Sequence, residues 1–310
     1  MPTEEIISLF RDIKVIGEYE DPVQIAAKLE QMQDPDFVAS VSDDTAVTRG
    51  AKGILEALNI FQDQPWLYGT HQFGYIGLRK SSFDQPQIIQ HAGAIEPDRT
   101  LKKSRINIRL DRLHIEKYPG GGTHNVLVTF AARNQVAEIQ ESVSFSQTYR
   151  VREGHSAGIA GYPVFIGLNV GSQGVAFECS TVNVKNEEDQ TILGALESSP
   201  FQSGLKLLTT AQPAIAPFTE ITLGVVKLLA QRNENVAVQK FYLGLDFDQA
   251  PMGVSLAEGN YIAVQVPDET AINWSDWVYK PDMGAIVRQE DYSATLPYNY
   301  VIFRVSRYEE

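Results

Sequence analysis

From residue 104 onward the hydrophobic pattern repeats every two residues, and that period commits most of the chain to β-strands. Ile106, Ile108 and Leu110 alternate with Arg105, Asn107 and Arg109. A strand of this kind has one apolar side and one polar side, so it lies on a core with its polar side turned outward. Beyond Asp111 and Arg112 the alternation resumes one residue out of step, at Leu113 and Ile115, which is the mark of a β-bulge. Pro119-Gly120-Gly121-Gly122 then turns the chain, and Val126, Val128 and Phe130 carry the pattern on, predicting a hairpin over 104–133. Val143, Phe145, Tyr149 and Val151 mark the next strand. Others follow at 163–170, 175–184, 236–247, 261–266, 277–280, 285–288 and 298–306. Thirteen Tyr and fourteen Phe against four Met suit pleated, half-buried surfaces better than a helical bundle.

The front of the chain follows another period. Residues 1–62 read as helical: Ile6, Leu9, Phe10 and Ile13 share a side over 4–14, and Ile54, Leu55, Leu58 and Phe61 do so over 51–61. Between them Asp21 is an N-cap with Pro22 at the first helical position, followed by Ile25, Leu29 and Met32. Residues 63–103 read as a connector whose Gly- and aromatic-rich run over 68–78 holds one or two short strands. Within the β region a helical insertion is expected at 187–233. It comprises a short helix over 187–196 and a second one capped by Thr219, with Ile221, Val225, Leu228 and Leu229 as its apolar stripe.

These elements predict a mainly β, α+β chain: a helical N-terminal segment (1–62), a connector (63–103) and a β-sandwich domain (104–310) interrupted by helices. The run Val164-Phe-Ile-Gly-Leu-Asn-Val170 is echoed by Phe241-Tyr-Leu-Gly-Leu-Asp-Phe247. If the echo is a duplication, the β region is two related sandwich units. The architecture is loosely similar to a C2 sandwich, a likeness of layers only, which fixes no function.

Composition narrows the function classes. With 310 residues the chain has no shortage of core, and its net charge of −13 repels phosphate backbones, which speaks against nucleic acid as a partner. One cysteine, Cys179, builds no disulfide framework and points to a reducing, cytoplasmic setting. The opening Met1-Pro2-Thr3-Glu4-Glu5 is acidic where a signal peptide is basic. The apolar stretch 221–230 is cut by Lys227 and is too short to span a bilayer.

No zinc, EF-hand or phosphate-cradle motif emerges, and the segment around Ser156 is not read as a nucleophile elbow. The histidines His71, His91, His114, His124 and His155 stand at no zinc-ligand spacing. Asp246 and Asp248, at a strand end before a loop, are the metal candidates, suited to calcium if further oxygens converge on them. Cys179 lies on the apolar side of its strand with Val175 and Phe177, as a core residue does. His155 stands beside Ser156, but adjacent side chains on an extended chain point apart, so the segment reads as a turn. Pro119–Gly122 precedes no helix and offers no phosphate cradle.

Between Asp98 and Tyr118 the seven cations Arg99, Lys102, Lys103, Arg105, Arg109, Arg112 and Lys117 face only three acids, a local +4 on a −13 chain. Arg105, Arg109 and Arg112 are therefore binding-surface candidates, joined by Trp274 and Trp277 in the aromatic C-terminal region. The expected function is a non-enzymatic binding or assembly module working through protein–protein contacts or self-assembly. One alternative is a peripheral membrane or calcium-dependent module using the basic 99–117 face. The other is a hydrolase with dispersed carboxylates, which requires paired acids lining a cleft, one of them with a raised pKa.

Overall fold

A computed structural model describes residues 8–42, 63–78, 85–136, 139–196, 204–207, 215–248 and 253–309. In chain order the strands are β1 (Thr70–Gly77), β2 (Gln87–Ile88), β3 (Gln90–His91), β4 (Arg105–Ile115), β5 (Thr123–Val136) and β6 (Ile139–Arg152). Next come β7 (His155–Ser156), β8 (Tyr162–Asn169), β9 (Gly174–Asn183), β10 (Leu205–Lys206) and β11 (Val236–Asp246). The last are β12 (Val254–Ser255), β13 (Gly259–Val266), β14 (Trp277–Lys280), β15 (Ala285–Arg288) and β16 (Tyr300–Arg307). The helices are α1 (Pro22–Gln31), α2 (Pro35–Ser42), α3 (Glu187–Leu196) and α4 (Ile215–Gln231).

The strands form three sheets. The largest has the order β10-β8-β4-β16-β13-β1-β3, with β7 paired to β4 as well; the second is β12-β11-β9-β5-β6; the third is β15-β14-β2. The main core lies between the first two. Ile106, Ile108 and Leu110 of β4 and Phe303 and Val305 of β16 meet Phe130 of β5, Phe177 of β9 and Leu243 of β11 in one buried cluster. The Phe177 and Phe303 rings touch across it at 4.7 Å. Two further cores back these sheets. Leu127, Ala131, Val182 and Ala237, on the far face of the second sheet, are covered by Phe10, Ile13, Leu193 of α3 and Val226 and Leu229 of α4. On the far face of the largest sheet, Ile262, Val264 and Ile302 pack under Trp274, Trp277, Ile286 and Leu296. Burial on both faces is why β13 and β16 read as near-continuous apolar runs rather than strict alternation.

The mainly β, α+β class is the one the alternation implies, and the bulge is where the phase slip puts it. Phe303 pairs with Leu110 and Ile302 with Arg112, leaving Asp111 as the extra residue. The hairpin expected over 104–133 is a correction: β4 belongs to the largest sheet and β5 to the second. The hairpin partner of β5 is β6, in register from Thr123↔Arg152 to Val136↔Ile139. Alternation tells which face of a strand is buried, not which strand lies beside it. Three glycines at φ of 97°, 62° and 81° carry the chain from sheet to sheet. A Cβ at Gly121 would stand 2.7 Å from Pro35 Cγ, so the crossing is also tight.

The run over 68–78 yields more than short strands. β1 pairs with β13 along its full length, from Thr70↔Val266 to Gly77↔Gly259. Its Gly74 is there for packing: a Cβ would stand 2.8 Å from Trp274 Cη2 and 2.9 Å from Ile89 Cγ2.

The helix expected over 4–14 is, in its described part, two tight turns, Arg11 N–H to Ser8 O at 3.4 Å and Ile13 N–H to Phe10 O at 2.9 Å. Leu9, Phe10 and Ile13 serve the core beneath them without helical backbone. The helix expected over 51–61 lies outside the described residues. α1 begins as its cap predicts, Val23 N–H donating to Asp21 Oδ1 at 2.9 Å. α3 occupies the expected span, but Thr219 is inside α4 rather than capping it. The echoing strands β8 and β11 stand in different sheets and face the same main core.

Candidate functional site

The end of β11 is shaped by its own alternation. Leu243, Leu245 and Phe247 are buried in the main core, so Tyr242, Gly244 and Asp246 share the opposite face. Beside them the chain doubles back at the entry to β9, where Gly171 N–H donates to Gly174 O at 3.0 Å and Phe247 N–H to Gln173 O at 2.9 Å. Gly174, at φ +142°, lets this turn lie on β11, because a Cβ there would meet Leu245 O at 1.9 Å.

The result is a cleft of about 380 Å³ lined by Gln135, Gln140, Ser172, Gln173, Tyr242, Asp246 and Asp248 with the backbone of 171–176. Burial raises the Asp246 carboxyl above the ordinary aspartate range, and the charge of Asp248 raises it further. Asp248 is 84% exposed and lies 3.8 Å from the Arg99 guanidinium. Arg99 also donates to Phe247 O at 3.2 Å, so it braces the strand end. Burial raises the Tyr242 hydroxyl, and the charges of Asp246 and Glu178 add to this. Two carboxylates, three primary amides and a phenol thus converge on one volume. Among the described residues no three His, Cys, Asp or Glu side chains form a metal-holding group, so calcium here would draw on amide, hydroxyl or backbone oxygens.

The pairing of Asp246 and Asp248 was legible in the sequence; the amides were not. Gln135, Gln140 and Gln173 come from three separate segments and match no motif. Only the β5–β6 hairpin and the turn before β9 bring them to β11.

The cations of 99–117 have different surroundings. Arg99 and Lys117 are paired with Asp248 and Asp36. Arg105 packs against the Tyr308 ring at 5.8 Å. Arg109 is exposed, with Lys102 and Lys103. Arg112 is shifted by the bulge toward the small sheet, where its Nη2 is 3.5 Å from the Tyr279 hydroxyl. Trp274 and Trp277 are 6% and 9% exposed and belong to the core under the small sheet. Arg288 lies over the Trp277 ring at 5.3 Å. Cys179 is fully buried in the main core, and burial pushes its thiol well up.

Among the described residues no helix is long and apolar enough to cross a membrane. No protein family, no curated protein and no solved structure matches the chain.

Proposed function

We propose that this protein is a binding module, working in the cytoplasm, whose cleft at the end of β11 takes a basic side chain of a partner polypeptide. The observation that supports this most is the raised carboxyl of Asp246 inside a cleft of amides. Placing a carboxylate there costs desolvation, and an arriving ammonium or guanidinium repays that cost by pairing with it. The carbonyl oxygens of Gln140 and Gln173 supply further acceptors, and Tyr242, 42% exposed, offers a ring face to a cation. A volume of about 380 Å³ suits one long side chain. The net charge of −13 draws basic partners toward the surface.

The test is calorimetric titration with short Lys- or Arg-containing peptides. Binding should release protons, because a cation favours the ionised form of Asp246, and the affinity should rise with pH through the acid range. Asp246→Asn should abolish it. Binding unchanged in Asp246→Asn would remove the cleft as the recognition site.

Calcium is the second reading, favoured by the same carboxylates with amide and hydroxyl oxygens around them. A ligand at about 100 times its dissociation constant adds about 2.7 kcal/mol, so millimolar calcium against chelator should raise the melting midpoint by several degrees if the site takes the ion. No rise leaves the basic side chain as the ligand.

A further inference from the structure

A second group of side chains, none of which lines the cleft, has the makings of a nucleophile. Residues 154–158 read Gly-His-Ser-Ala-Gly, a Gly-x-Ser-x-Gly pattern. It is not the nucleophile elbow of a parallel sheet, since Ser156 sits in the two-residue strand β7, which runs antiparallel to β4. The neighbouring His155 is not its partner either, as its Nδ1 is engaged by Glu153 O at 2.7 Å. Strand pairing supplies one. Ser156 lies directly opposite His114, and cross-strand neighbours of this kind bring their side chains together. Ser156 Oγ is 3.2 Å from His114 Nδ1. Two residues along the chain from His114, Glu116 places Oε2 3.3 Å from its Nε2.

The other neighbour of β4 completes the row. Tyr300 of β16 pairs with His114, and the two rings stack at 4.5 Å with 14° between their planes. Burial pushes the pKa of the Tyr300 hydroxyl up, with the Ile286 backbone and the Ser156 side chain offsetting part of this, so it stays a neutral donor near Ser156. His114 is 6% exposed, which fixes the imidazole between serine, glutamate and tyrosine. The approach to Ser156 is open on both sides: Gly154 and Gly158 are exposed, and a Cβ on either meets nothing within 4 Å.

We propose that Ser156, His114 and Glu116 form an acyl-transfer site for small carboxylic esters, with Ser156 as nucleophile, His114 as general base and acid, and Glu116 as the positioning residue that holds the imidazole. With its proton on Nε2, shared with Glu116, His114 presents a free Nδ1 lone pair to Ser156. Ser156 Oγ bonds to the ester carbonyl carbon as its proton passes to Nδ1. The developing oxyanion takes a hydrogen bond from the Tyr300 hydroxyl. Collapse breaks the carbon–alkoxide bond, and the imidazolium returns its proton to the leaving alcohol. Water, deprotonated by His114 in the same way, then cleaves the acyl-serine, releasing the acid and restoring Ser156.

The experiment uses the full chain with p-nitrophenyl acetate and a fluorophosphonate probe. The expected result is a single phosphonyl adduct, mapped by mass spectrometry to Ser156, with hydrolysis falling to the uncatalysed rate in Ser156→Ala. Glu116→Gln should lower kcat at least about tenfold with little change in KM and displace the acid limb of the pH–rate profile, which a merely structural role would not do. Ser156→Ala replaces one half-exposed hydroxyl, and an unchanged melting midpoint would show that the variant is folded. An absent adduct, an adduct at another residue, or hydrolysis that survives Ser156→Ala in the folded variant would each overturn the proposal.

Discussion

The Asp34 carboxylate accepts the Gly120 N–H at 2.6 Å, across 86 residues of sequence. Its other oxygen caps α2, taking the Phe37 N–H at 3.0 Å. One buried side chain therefore starts a helix and pins the triple-glycine crossing between the two main sheets. Asp34→Ala loses both bonds and leaves the Gly120 amide without this acceptor. The cost should be about 2–4 kcal/mol, the sum of a lost cap and a lost charge-assisted bond. Denaturant titration reads it, and a loss below about 1 kcal/mol would mean the crossing is held by other contacts.

Lys28 is 9% exposed and donates to Arg232 O at 2.7 Å and Asn233 O at 3.1 Å, the carbonyls just beyond the end of α4. Burial lowers its pKa from the ordinary 10.5 to about 8. Because the folded state holds this proton less tightly than the unfolded chain, stability should increase as pH rises from about 8 to 10.5. The gain is at most about 3 kcal/mol. Other groups titrate in this range, so the quantity to measure is wild type minus Lys28→Met. A difference that stays flat across the window would show that the ammonium is solvated.

Gly74→Ala should destabilise by about 1–3 kcal/mol, since its methyl would stand 2.8 Å from Trp274 Cη2. Trp274→Phe removes the outer ring that makes the closest of these clashes and leaves the one with Ile89 Cγ2 at 2.9 Å. The two substitutions together should therefore cost less than the sum of each alone, by about 1 kcal/mol in a double-mutant cycle. Strict additivity would place the clash elsewhere.

The raised carboxyl of Asp246 has a consequence for the unliganded protein. A folded-state pKa above the unfolded value contributes stability at low pH and loses it as pH rises through the folded pKa. Asp246→Asn should accordingly melt slightly higher than wild type at neutral pH. The advantage should fade in the acid range, where the carboxyl is protonated in both states. A lower midpoint at neutral pH would mean that the carboxylate is held by favourable bonds instead of poised for a ligand.

The difference between what could be read from the residues and what could not follows the range of the forces involved. Period-two patterning set the strands, the bulge at Asp111 and the mainly β class, because one apolar and one polar face is a local demand that each strand states for itself. Asp21-Pro22 set the start of α1 for the same reason. The echo of 164–170 in 241–247 said nothing of sheet membership, because both strands satisfy an identical demand from opposite sides of one core. The 104–133 hairpin went wrong there too: β4 lies between β8 and β16, the latter nearly two hundred residues on, neighbours chosen by packing and not by the intervening turn. The candidate sites show the same division. Asp246 and Asp248 are neighbours in sequence and were visible as a pair, while the amides around them arrive through sheet pairing. His155 stands next to Ser156 in the chain and faces away from it. His114, 42 residues earlier, is brought to it by the ladder between β4 and β7. The sequence by itself determined which residues turn inward; the tertiary structure decided which of the outward ones meet, because their contacts are fixed by strand order, which no single segment encodes.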